Sequence, residues 1–387
     1  MCSQNSTVVK PLTWADIEAL PLANNNMTEA QLRKLCLDYM TMMLHFAWTP
    51  SHQADLVSKG KVTKTFIPGQ VYGGIPYVAG VMGNLYTMME YYDENTGIMD
   101  TSKGMETIGR WGNQCSGSTM WAWNRVCSSM NFHSTSDMYE ERGCLRVGNY
   151  HYCGNYDLDY MGYFEEGCGT NTICEENGEQ VIYESYALTK PADGIVSSTQ
   201  GHVQMIAAYP KVVRNEDGTI NGKKSFIYYT DQDGVYHSDI QADGTHFEFV
   251  GGYRTEISFF KVMEMHYIPF TFAELNKEKP IDISVTSMDY SGNTISLVQL
   301  ADSKITCNYC ISDITFVVKD ENGKQVLRSL TPLYYKKNTS NIKVGSVSDA
   351  LNECDLTPFA DGKHTIEISA RIGTGEKPVV YTGTLIS

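Results

Sequence analysis

The sequence predicts an α+β protein of two domains, a mixed domain over residues 1–276 and an all-β sandwich of roughly immunoglobulin-like size over residues 277–387. Three observations predict it. Apolar residues recur at helical spacing after a capping-box sequence at Thr28. Short alternating stretches joined by polar, Gly-containing turns run from residue 193 to residue 232. A composition shift at Asn276-Lys277-Glu278-Lys279-Pro280 then opens a region with strand periodicity alone. At 387 residues the chain exceeds one typical domain, and 42% hydrophobic content is ample for two cores.

Lys and Arg number 30 against 45 Asp and Glu, a formal net charge of −15. Nucleic acid and anionic membrane surfaces both attract basic patches, so this balance argues against either as a partner. No apolar run approaches the length of a bilayer crossing, and no membrane-spanning segment is expected. The opening Met1-Cys2-Ser3-Gln4-Asn5-Ser6 has no apolar stretch behind it. Cys2 reads either as the lipid-anchored first residue of a mature lipoprotein or as a plain cysteine in a tail.

Along the chain, Thr28-Glu29-Ala30-Gln31 has the form of a capping box. Leu32, Leu35, Cys36, Tyr39, Met42, Met43 and Phe46 follow at helical spacing, which predicts a core helix. Residues 84–92 read as a second, shorter helix. The 18 Met and 25 Tyr are read as packing rather than as a cofactor box. Tyr72 and Trp111 are read as exposed aromatics beside a cleft, where they stack on a sugar ring.

Cys115 is the candidate nucleophile. Small and turn-forming residues precede residues 118–130, whose Met120, Trp121, Trp123, Val126, Cys127 and Met130 suit a helix buried on a broad face. Cys115 then falls at or near the first helical turn, where unpaired amide N–H groups and the positive end of the helix dipole favour thiolate over thiol. With 11 cysteines in the chain, the default for any one of them is a structural role; the setting of Cys115 is what separates it from the others.

His202 is the candidate base. Residues 193–198 and 202–209 read as two strands joined by a polar turn, with His202 opening the second. A base at a strand end is held by the sheet yet can face a cleft. Residues 225–232 read as the returning strand of a hairpin whose far end comes back beside His202. Asp231 and Gln232 both fall there. Successive strand residues face opposite sides, so only one can orient the imidazole; Asp231 is favoured because a carboxylate also stabilises an imidazolium.

Cys127, Cys144, Cys153, Cys168 and Cys174 cluster between the two catalytic candidates, which suits an oxidising compartment and disulfides. Cys307-Asn308-Tyr309-Cys310 is a single C-x-x-C without a second pair at zinc-finger spacing, so it reads as a local disulfide or two thiols; no metal or other cofactor is expected. Beyond residue 277, residues 281–285, 294–298, 313–318, 365–370 and 379–385 read as short strands, with a hairpin turn at Asp320-Glu321-Asn322-Gly323-Lys324.

Four segments in order resemble the signatures of NlpC-type peptidases, bacterial cell-wall hydrolases of the papain-like superfamily. They are Gly74-Ile75-Pro76-Tyr77-Val78-Ala79-Gly80, Gln114-Cys115-Ser116-Gly117, Lys190-Pro191-Ala192-Asp193-Gly194-Ile195-Val196 and Gly201-His202-Val203. The resemblance covers residues 70–235. It implies a papain-like catalytic domain and a role for Tyr77 in binding the oxyanion. Thr230-Asp231-Gln232 is closer to the related CHAP amidases, whose strand ends in Glu-Gln. Gln114 departs from the usual Asp, which puts recognition of a free substrate amine in doubt. A strict papain frame fails, because with Gln114 as the oxyanion glutamine it sets Met120 at the nucleophile position.

The expected activity is amide cleavage in peptidoglycan, in a stem peptide or where that peptide joins the glycan, by Cys115, His202, Asp231 and Tyr77. Gln114, Ser116, Gln232, Tyr72 and Trp111 are the expected substrate-binding residues. The resemblance implies a secreted or cell-envelope setting, with an outer-surface bacterial lipoprotein as its specific form. The alternatives are an inactive binding or adhesion protein on the same scaffold, or another acyl-transfer enzyme.

Overall fold

The computed structural model is α+β and describes all residues except 1–10, 59, 129, 131–134, 136–137, 139–142, 152–168, 241–245, 251–253, 287 and 334–343. Cys2, Cys153 and Cys168 therefore lie outside the described residues. Thr28 forms the expected capping box: its hydroxyl accepts from the Gln31 N–H, and the Gln31 side chain accepts from the Thr28 N–H at 2.8 Å. The helix Glu29–His45 follows, with Leu32, Leu35, Cys36, Tyr39 and Met43 buried along one face. Asn84 caps a helix shorter than expected, Leu85–Met89. The chain turns through Tyr91 N–H to Met88 O and enters the strand Tyr92–Asp93.

Two six-stranded sheets frame this part of the chain. One runs in the order His237–Ile240, His246–Phe249, Val71–Gly73, Ala47–Pro50, Ile98–Met99, Tyr92–Asp93. The other runs Arg254–Ser258, Phe226–Thr230, His202–Lys211, Gly194–Ser197, Ile268–Thr271, Leu145–Arg146 and is antiparallel throughout. The helix Cys115–Asn124 packs against both the Glu29–His45 helix and the His202–Lys211 strand. It begins three residues earlier than its periodicity indicates and is buried on all sides, so it has no polar face to mark its limits. Its tryptophans satisfy their N–H groups: Trp121 donates to Met82 O at 2.9 Å and Trp123 to Ala192 O at 2.7 Å.

Buried apolar side chains sort into two clusters, one drawn from Leu12 to Ile281 together with Cys310, the other from Met288 to Leu385. The second joins a three-stranded sheet (Val285–Thr286, Lys304–Cys307, Val344–Ser346) to a five-stranded one ordered Thr294–Ser296, Val379–Ile386, Asp361–Ile372, Ile311–Lys319, Gln325–Pro332. Ile305 of the former and Ile314, Phe316, Ile366 and Ile368 of the latter share this core. The expected hairpin turn is present, with Asp320 Oδ1 accepting from the N–H groups of Asn322 and Lys324, both at 2.9 Å. Two expected strands are corrected. Only Val285 of residues 281–285 is in a strand. Leu297 and Val298 open the helix Leu297–Asp302, because Ser296 and Gln299 form a capping box that ends the extended segment.

The expected disulfides are also corrected where the residues are described. Cys127 and Cys174 are buried thiols, and burial pushes the Cys127 thiol up and that of Cys174 to about 12. The Cys310 sulfur donates to Met130 O at 2.9 Å, and the Cys307 sulfur accepts from the Tyr309 N–H at 3.4 Å. Among the described residues no helix is long and apolar enough to cross a membrane.

Candidate active site

Gln114 adopts extended backbone angles (φ −125°, ψ 173°), and Cys115 is the first residue of the helix that follows. The first amides of a helix lack carbonyl partners one turn back, and the positive end of the helix dipole lies at Cys115. Local packing holds the turn. Asn113 Oδ1 accepts from the Gln114 N–H at 2.7 Å, and Asn113 Nδ2 donates to Gly83 O at 2.5 Å. A Cβ at position 117 would stand 2.1 Å from that same Oδ1, so only glycine fits one turn below the bend. Cys115 is buried, 5% exposed.

Tyr77 reaches the same place from the first sheet. Gly74 has φ +78°, and a Cβ there would lie 2.4 Å from Leu44 O; the bend it permits lets the Ile75 N–H donate to Met43 O at 2.8 Å. The next residues zip onto Asn113, with the Asn113 N–H donating to Pro76 O at 3.0 Å and the Val78 N–H to Asn113 O at 2.6 Å. Tyr77 is thereby fixed beside the residue pair that leads into the Cys115 helix. Burial, then the nearby Cys115, Asp231 and Asp233, push its phenol to about 12, so it stays protonated and able to donate.

His202 and Asp231 come from adjacent strands of the second sheet. Ser197 pairs with His202 and Thr230 with Met205. Asp231, one residue past Thr230, therefore shares a face with His202 and Gln204, two positions apart on their strand. His202 Nε2 lies 2.7 Å from Asp231 Oδ1; an ionised carboxylate only accepts, so the ring nitrogen is the donor. The Cys115 sulfur lies close enough to the same ring to act on it electrostatically. Burial alone would lower the imidazole pKa. The Asp231 carboxylate and the Cys115 sulfur outweigh it and bring the value to about 10. Gln204 Nε2 donates to the other carboxylate oxygen at 2.8 Å, so both oxygens of Asp231 are engaged.

The structure thus brings Cys115, His202, Asp231 and Tyr77 together, and it corrects the expected substrate-binding residues. Tyr72 and Trp111 are fully buried, with ring centroids 5.2 and 5.4 Å from Trp48, so no sugar can stack on them. Gln232 is equally buried, donating to Ile75 O at 2.7 Å and accepting from the Ser118 hydroxyl at 3.1 Å; it faces away from Asp231 and ties the Tyr77 segment to the Cys115 helix. Ser116 is buried and accepts from Gln114 Nε2 at 3.1 Å, while Gln114 Oε1 accepts from the Gly80 N–H at 2.7 Å. Gln114, which is partly exposed, thereby bridges Gly80 and the buried Ser116. Asn113 and Gln204 went unnoticed in the sequence. The spacing of two between His202 and Gln204 on a strand was the available signal for the latter.

Asp193, in the third of the ordered segments, is a structural residue. It pairs with Arg33 at 2.7 Å, accepts from the Lys190 N–H at 2.7 Å and from Thr271, and anchors the turn that leads into the His202 hairpin. Among the described residues no group of three or more His, Cys, Asp or Glu side chains is arranged to hold a metal ion. No protein-family model matches the chain, and no curated protein is similar to it in sequence.

Proposed function

We propose that the chain is a papain-like cysteine hydrolase that cleaves an amide bond of bacterial peptidoglycan, within a stem peptide or at its junction with the glycan. The observation that carries this reading is His202 standing between the Cys115 thiol at a helix N-terminus and the Asp231 carboxylate. The Cys115 sulfur attacks the amide carbonyl carbon, and His202 carries the thiol proton to the leaving amine as the C–N bond breaks. The Tyr77 hydroxyl and the Cys115 N–H donate to the oxygen that gains charge in the tetrahedral intermediate. A water then attacks the thioester, giving its proton to His202, and the carboxylic acid leaves as the thiol is restored. Asp231 keeps the Nε2–H in place throughout, so Nδ1 is the nitrogen that carries the proton.

The order of the four NlpC-like segments supports peptidoglycan as the substrate, and the second hydrophobic cluster is read as an immunoglobulin-like sandwich that covers the first. The secreted or cell-envelope setting belongs to the same reading. The test is to incubate purified muropeptides and intact stem-linked glycan with the wild-type chain and with Cys115→Ala. The wild type is expected to release a new amine end and the variant none. Release by neither protein, or equal release by both, overturns the proposal.

A further inference from the structure

We infer that Gln204 is a positioning residue that extends the relay from Cys115 and His202 through Asp231 to a fourth group. The inference rests on the hydrolase reading above and deepens it. A carboxylate held by one donor can turn about its last bond and carry the imidazole with it. Here the two oxygens are gripped from two positions of a single strand, His202 Nε2 at 2.7 Å on Oδ1 and Gln204 Nε2 at 2.8 Å on Oδ2. Because positions 202 and 204 project from the same face of the His202–Lys211 strand, the spacing of the two donors is set by the strand itself. The carboxylate plane, and with it the line from Nε2 through the ring to Nδ1, is fixed by the sheet.

A second observation separates this arrangement from ordinary core packing. Gln204 is 5% exposed, and its Oε1 has no hydrogen-bond partner among the described residues. An orphaned buried carbonyl destabilises a fold, and an apolar residue at this inward position would avoid it. The amide is therefore retained for what its nitrogen does, which is to hold Asp231.

The experiment uses the full chain with Gln204→Met, which keeps volume and reach but removes the donor, and Gln204→Glu, which keeps the shape. Two readouts are independent of any substrate: the rate at which iodoacetamide alkylates Cys115, and the downfield proton resonance of the His202 Nε2–H held against Asp231. In Gln204→Met, alkylation at neutral pH is expected to fall about 10- to 100-fold, the range for losing an orienting hydrogen bond to a charged group. The downfield resonance is expected to broaden or vanish while the chain stays folded. In Gln204→Glu the resonance is expected to return only as acidification protonates the new carboxyl and restores a donor. Wild-type alkylation with an unchanged resonance in Gln204→Met overturns the inference. If the wild type itself alkylates like an ordinary thiol, the hydrolase reading fails, while the resonance still decides whether Gln204 positions Asp231.

Discussion

The guanidinium carbon of Arg371 lies 4.1 Å from the centre of the Tyr86 ring. The Tyr86 hydroxyl accepts from Arg125 Nη1 at 3.0 Å, and Arg125 is the residue that closes the Cys115 helix. Tyr309, from the second hydrophobic cluster, donates to Val126 O at 3.0 Å in the same region. The strand Asp361–Ile372 is thus joined through one aromatic ring to the far end of the helix that carries the candidate nucleophile. Both clusters brace that helix.

Arg371 also forms an ion pair with Asp313 at 3.2 Å, with both side chains nearly buried; the contact is close without being an aligned hydrogen bond. Burial pushes the Asp313 carboxyl up despite the opposing pull of Arg371. Arg371→Met therefore strands a buried acid and is expected to lower the unfolding free energy by about 3–5 kcal/mol in urea titrations. The double variant Arg371→Met/Asp313→Asn is expected to recover part of the loss. A double variant as unstable as the single one would show that the pair is not what Arg371 supplies.

The pH dependence of stability has a defined sign. The imidazole of His202 titrates at about 10 in the fold against about 6.5 in an unfolded chain, so its contribution is complete below about 6.5 and is lost as pH rises through about 10. Within that window the stability difference between wild type and His202→Gln is expected to shrink by at most about 1.4 kcal/mol per pH unit. Titration of His202 by NMR should fall below the wild-type value in Cys115→Ala and further in Asp231→Asn, because the carboxylate is the stronger of the two partners. An unchanged His202 titration in Asp231→Asn would refute the pairing.

Asp231 and Gln232 are adjacent in the chain and have separate tasks, and alkylation of Cys115 distinguishes them. Asp231→Asn is expected to slow alkylation at neutral pH by about 10-fold or more and to alter its pH dependence, since the carboxylate that raises the His202 imidazole is gone. Gln232→Met removes the donor to Ile75 O and the acceptor for Ser118 from a fully buried position. It is expected to destabilise the fold by about 1–3 kcal/mol with the pH dependence of alkylation preserved. The reverse pattern would make Gln232 the orienting residue.

Much of the candidate site was legible in local sequence. The capping box at Thr28, the helix start near Cys115 and the hairpin that returns Asp231 toward His202 are all short-range signals; alternation along a strand showed that only one of Asp231 and Gln232 can face the imidazole, and carboxylate chemistry chose Asp231. The exposure of aromatic residues was not legible. Tyr72 and Trp111 stand in segments that read as surface, yet both close around Trp48, whose strand Ala47–Pro50 pairs directly with that of Tyr72. The limits of the Cys115 helix were blurred for a related reason: a helix buried all round has no polar face from which to read its ends.

By itself the amino-acid sequence determined the α+β character of the chain, its negative charge and the residue types that could supply a thiol, a base and a carboxylate. It did so because turn chemistry, capping and apolar periodicity act over a few neighbouring residues. Tertiary structure alone decided which side chains were left facing the sulfur. Sheet register set Gln204 and Asp231 on one face with His202, and long-range packing buried Tyr72, Trp111 and Gln232 against partners far away in the chain. Burial depends on what arrives from elsewhere in the fold, and no local pattern encodes it.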